Sequence, residues 1–154
     1  MNEAVVAGAV AVAALNVLPG LLGSWIVYGG DPTASSSRNF WILLRVGQGS
    51  ALTLAIAVGS LAAAGKQPSA DLFYLYALLP LAIAFVAEQL RVVSAQMIMD
   101  QRGLEGRESV ASLAEDEQQE LVATIVRREI LVMALSALVV VFLALRAAGT
   151  AHGF

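Results

Sequence analysis

Arg45 and Glu88 are charged residues set inside long apolar stretches of this 154-residue chain. Gln48 follows Arg45 at helical spacing, and Arg91 follows Glu88 in the same way. A lone charge in hydrocarbon costs roughly 2.5–3.5 kcal/mol on insertion scales, so such groups pair with one another or mark a functional site. A guanidinium can meet a carboxylate through two parallel hydrogen bonds. Four chemistries are open to these side chains. They could form an ion pair that fixes helix register. They could bind an ion, proton or solute. The arginines could snorkel toward headgroups. The group could also line a lipid-headgroup or quinone pocket. Asn16, in the first apolar stretch, and Glu129, at the mouth of the last, can approach the same level. The expected intramembrane polar cluster is therefore Arg45, Gln48, Glu88, Arg91, Asn16 and Glu129, with an Arg45–Glu88 contact at its centre.

Residues for other chemistry are scarce. The chain has no cysteine and a single histidine, His152. Thiolate zinc sites, iron–sulfur clusters and cysteine nucleophiles are excluded, and a bis-histidine haem cannot be built within one chain. There is no paired-histidine zinc spacing, Walker loop or G-x-S-x-G elbow. Ser24, Ser50 and Ser94 have no histidine base in reach. Carboxylate chemistry would need a second acid beside Glu88, and the candidate, Glu129, has Arg91, Arg127 and Arg128 to pair with. The expectation is a non-enzymatic protein without metal or cofactor. The net charge of −3 offers no basic footprint for nucleic acid.

The elements that must position the cluster are long and apolar. Hydrophobic residues make up 58% of the chain and the mean hydropathy is +0.76, above a soluble domain's share. The stretches 4–28, 40–64, 72–95 and 130–148 are each long enough to cross a bilayer. The expected fold is an all-α membrane protein, a four-transmembrane-helix bundle forming a single integral membrane domain over 1–154. The acidic Met1-Asn2-Glu3 start lacks the basic region of a secretory signal, so the first stretch reads as a retained span.

Punctuation sets the helix ends. Trp25 and Tyr28 suit the headgroup boundary, and Gly29-Gly30-Asp31-Pro32 breaks the first helix. A short polar loop through Ser35-Ser36-Ser37-Arg38 leads to Phe40 and Trp41, which open the second span. Gly65-Lys66-Gln67-Pro68-Ser69 reads as a turn, with Ser69 as N-cap of the third helix. That helix meets no breaker before Gly103, so it should run from Asp71 to Arg102, about 48 Å, and overshoot a core of about 30 Å. Ser112-Leu113-Ala114-Glu115 matches a capping box for a last helix over 113–148. Its first turns hold Glu115, Asp116, Glu117 and Glu120, which suits the helix dipole. Spans 3 and 4 should thus extend into a cytoplasmic helical hairpin with its tip at about 96–128.

Orientation follows from lysine and arginine near the spans. Arg38, Arg102, Arg107, Arg127 and Arg128 gather at one end, against Lys66 and Arg146 at the other. The first end is assigned to the cytoplasm, which puts both termini on the non-cytoplasmic side of a bacterial inner (plasma) membrane. Measured from that end, Arg45 and Glu88 fall at similar depths on antiparallel neighbours.

Gly47, Ala51, Ala55, Gly59 and Ala63 recur every four residues, a small-residue stripe suited to close helix docking. Asn16, Gly20 and Ser24 share that spacing on the first span. The expected function is a scaffold or accessory subunit of a membrane complex, with the Arg45–Glu88 pair as a polar clasp. The alternative is a small oligomeric channel or transporter using Arg45, Glu88 and Arg91, with Thr53 and Ser60 along the route. The expected partners are the lipid bilayer and either further copies or a larger membrane complex.

Overall fold

The computed structural model describes residues 2–30, 35–66, 68–104 and 106–152, without the side chain of Arg107. The Asp31-Pro32 break, Gln67 and the Arg107 side chain therefore lie outside the described residues. All regular structure among the described residues is helical: α1 (Asn2–Tyr28), α2 (Ser35–Ala63), α3 (Phe73–Gln101), α4 (Gly106–Ala111) and α5 (Glu115–Thr150). Of these, α1, α2, α3 and α5 are long and apolar enough to cross a membrane.

The four long helices form a ring in the order α1, α2, α3, α5. The most extensive packing is between α1 and α5, followed by α3 with α5 and α1 with α2. The α2–α3 seam is thin, and α2 barely reaches α5. Neighbours run antiparallel: Arg91 faces Glu129 while Arg102, just past the end of α3, faces Glu120, earlier on α5, and along α1 Gly8 lies against Leu54 and Gly23 against Phe40 of α2, while Gly20 lies against Leu138 and Gly23 against Ala134 of α5.

Two apolar clusters fill the ring. One joins Val12, Leu54, Val58, Phe73, Val140 and Ala144. The other joins Ile26, Phe40, Leu44, Ala87, Ile130 and Met133. Helices in lipid associate through close packing rather than a hydrophobic drive, and α1 meets α5 in this way. A Cβ on Gly23 would lie 2.6 Å from the Ala134 Cβ and 2.6 Å from the Phe40 ring, so that backbone must stay bare.

The stop signals act locally. Gly103 has φ +66°, a left-handed conformation that glycine adopts at little cost. Its amide donates to the Asp100 carbonyl at 3.0 Å and the Leu104 amide to the Met99 carbonyl at 3.0 Å. This is the double bond of a Schellman end, closed by the buried Leu104. Gly65 ends α2 in the same pattern, with its own amide on Ala62 and the Lys66 amide on Leu61.

Several boundaries depart from the sequence reading. Ser35 to Arg38 are the first turn of α2, not a loop. Polar residues at a helix start can be solvated while Phe40 and Leu44, further in, hold the helix to the core. Ser69 does not cap α3, whose N-cap is Leu72. Both the Ser69 amide and its hydroxyl donate to the His152 carbonyl, each at 2.9 Å, tying the α2–α3 connection to the end of α5. The cap of α5 is Ala114 rather than a residue at Ser112. There the Ala114 amide donates to Glu117 at 3.3 Å, while the Ser112 hydroxyl donates to the Ser109 carbonyl at 2.7 Å. α5 also runs through Gly149 to Thr150. Between α3 and α5 lies the short α4, an element that the reading of a hairpin tip at 96–128 did not include.

Candidate functional site

The polar side chains converge on the thin α2–α3 seam. Arg45 comes from α2, whose buried side carries Leu44 and Gly47. At about 100° per residue, Arg45 is turned toward α3 and outward. Glu88 stands next to the buried Ala87 on α3 and faces back across the seam.

Arg45 Nη1 donates to Glu88 Oε1 at 2.6 Å and to Gln48 Oε1 at 2.7 Å. Gln48 Nε2 approaches the same Glu88 oxygen at 3.5 Å. Arg91 Nε donates to the other oxygen, Oε2, at 3.1 Å. Arg91 Nη1 then reaches Glu129 Oε2 on α5 at 3.6 Å. Two cations and two anions thus form one neutral chain that ties α2 to α3 and α3 to α5. The carboxylates are the more enclosed members, at 24% exposure for Glu88 and 20% for Glu129, whereas Arg45 is 56% exposed.

Trp41 belongs to this group, although its place in the sequence suggested only a boundary anchor. The Arg91 guanidinium carbon lies 5.3 Å from the Trp41 ring centroid, a cation–π distance. Phe40 meets Trp41 edge-on at 5.2 Å. An aromatic four residues before Arg45 is the signal that could have pointed to it.

Asn16 stands apart from the chain of charges. It is 2% exposed, and its amide nitrogen donates to the Val12 carbonyl at 2.8 Å and to the Gly47 carbonyl at 3.3 Å. It joins α1 to a different side of α2. α2 turns Gly47 toward α1 and Gln48 toward α3, so one helix serves two polar contacts.

The small-residue stripe does not act as one face. Gly47, Ala51 and Ala55 are buried, while Gly59 and Ala63 are exposed. Spacing of four advances about 400° per step, so the stripe drifts about 40° around the helix each time. By Gly59 it has left the α1 contact, and Leu54 and Val58 take over the buried side. On α1, Gly20 and Gly23 are the buried small residues, and the Ser24 hydroxyl donates to the Gly20 carbonyl at 2.8 Å.

Two grooves lie away from the Arg45–Glu88–Arg91–Glu129 chain. One, about 910 Å³, runs between α3 and the start of α5 and is lined by Met97, Ile98, Ala123, Arg127 and Arg128, with Val27 of α1 at one end. The other, about 510 Å³ and almost wholly apolar, lies between α1 and α2 beside Gly8, Val12, Thr53 and Leu54. No group of three or more histidine, acidic or cysteine residues among the described residues is placed to hold a metal ion.

The fold and these side chains define an all-helical protein with four helices compatible with a membrane bundle and an ion-pair chain along its thinnest seam. Comparison with protein families, curated proteins and solved structures finds no match.

Proposed function

We propose that this chain is a non-enzymatic integral membrane protein serving as a scaffold or accessory subunit of a membrane assembly, with the Arg45–Glu88 pair as an internal clasp. In this reading α1, α2, α3 and α5 cross the bacterial inner (plasma) membrane. The α4 end faces the cytoplasm with Arg38, Arg102, Arg127 and Arg128, and both termini face the other side. The overshoot of α3 and α5 supports a projecting tip: α5, with 36 residues, is about 54 Å long at 1.5 Å per residue.

The observation that carries the reading is the saturation of Glu88. Its two carboxylate oxygens take Arg45, Gln48 and Arg91 from within the bundle. A transport site needs a group that can exchange partners; here the acid is spent on neighbours. The alternative, a small oligomeric channel or transporter, draws on the exposed side of Arg45. Against it, the Thr53 hydroxyl donates to Gly49 and the Ser60 hydroxyl to Ile56, each within its own helix.

The test uses protein reconstituted in lipid. Glu88→Gln is expected to lower the melting temperature, and replacing Arg45, Gln48 and Glu88 together by leucine is expected to recover most of that loss, because apolar side chains in place of all three leave no charge without its partner. Unchanged melting of Glu88→Gln, or ion or solute flux abolished by that substitution, would overturn the clasp.

A further inference from the structure

Gln89 is a polar residue of α3 that the clasp does not use. It is exposed on α3, and its amide has no hydrogen-bond partner among the described residues. Glu88 faces α2, so Gln89, about 100° further round, faces out of the bundle beside the exposed Phe85 and Val92. An unpaired amide turned toward hydrocarbon is unfavourable, and such side chains hydrogen-bond between helices in membranes.

Arg45 offers the complement. Both of its hydrogen bonds leave from Nη1; Nε and Nη2 have no partner among the described residues. Arg45 and Gln89 also share a height. Arg45 touches Glu88, and Gln89 is the next residue, about 1.5 Å along the axis.

Resting on the membrane reading above, we propose that the outer face of the α2–α3 pair binds a second copy of this chain, with Arg45 of each copy donating to Gln89 of the other. Two copies inserted the same way are related by a two-fold axis along the membrane normal. That axis keeps heights equal and sets α2 of one copy opposite α3 of the other, so the contact is made twice, as an isologous interface requires. The face also permits close approach: a Cβ on Gly49 or Gly59 would meet nothing within 4 Å. α3 is the least buried of the four long helices. Glu88 already neutralises each Arg45, which removes the repulsion between two arginines across the axis. The outer side of α5 presents Leu135, Val139, Phe142 and Leu145, which lipid satisfies without a partner.

The chain has no cysteine, so cysteines introduced for cross-linking have no background. Copies carrying Gly49→Cys and copies carrying Phe85→Cys, one turn from Arg45 and from Gln89, are mixed in liposomes and oxidised. The expected product is a disulfide-linked dimer. Val10→Cys with Leu145→Cys, on the outer sides of α1 and α5, should give none. Particle mass in nanodiscs should show a dimer for the native sequence, weakened about tenfold by Gln89→Leu, with the melting temperature of the single chain unchanged. A monomeric native protein, cross-linking through Val10 and Leu145 instead, or full dimer strength in Gln89→Leu would each overturn the proposal. A monomer in which Glu88→Gln still lowers melting would leave the clasp standing and remove the dimer alone.

Discussion

The Asn16 amide nitrogen lies 3.3 Å from the Gly47 carbonyl oxygen, at a point where a Cβ on Gly47 would come within 2.7 Å of Asn16 Oδ1. The bond between α1 and α2 therefore depends on a residue without a side chain. Gly47→Ala is expected to push the helices apart and destabilise the protein by about 1–3 kcal/mol, the usual range for overpacking. Thermal melting in lipid checks this. Asn16→Ala combined with Gly47→Ala should be less than additive, because the shorter side chain removes the clash.

Gly23 faces a harder obstacle. Its neighbours there are the Ala134 Cβ, fixed to its backbone, and the Phe40 ring. Gly23→Ala should cost at least as much as Gly47→Ala, whereas Gly149→Ala, on the open side of α5, should stabilise by up to about 1 kcal/mol through helix propensity. Melting of the three variants side by side gives the ranking, and a neutral Gly23→Ala would contradict the packing of α1 on α5.

Arg45 and Glu88 should be strongly non-additive. Arg45→Ala and Glu88→Ala each leave a charge without its main partner, while the double variant leaves a less unbalanced seam. A double-mutant cycle should return a coupling energy of about 0.5–3 kcal/mol, the range for residues in direct contact. A coupling near zero would mean that the seam is held without the pair.

At the far end, Arg102 reaches Glu120 at 3.1 Å, with the Glu120 side chain 72% exposed. An ion pair of this kind contributes about 0.2–1 kcal/mol and weakens with salt. Glu120→Ala should shift melting by little more than the error, and less still at high ionic strength.

Much of the fold follows from local rules that a sequence displays. Four apolar runs of spanning length, and glycines placed to end α2 and α3, need no tertiary knowledge. The heights of Arg45 and Glu88 come from counting residues along antiparallel helices. What sequence could not supply is the rotation of one helix against another. That rotation sends Asn16 to the Gly47 carbonyl instead of to Glu88, and it leaves Gln89 facing outward. The drift of Gly59 and Ala63 off the contact was readable, since strict spacing by four does not hold one side of a helix with 3.6 residues per turn. Ser69 was misread as a cap because its partner, His152, is 83 residues away. The helix α4 is too short and polar to give a periodic signal.

The closest pairing in the molecule joins its first helix to its last, for α1 packs most extensively on α5. Those two elements are separated in the sequence by α2, α3 and α4, so their contacts are non-local. Without α5 in place, Gly20 lacks the Leu138 side chain it packs against, and Gly23 keeps only the Phe40 ring of α2. Closure of the ring therefore waits on a contact between distant parts of the sequence, and the α1–α5 seam is expected to be the slow step of its assembly.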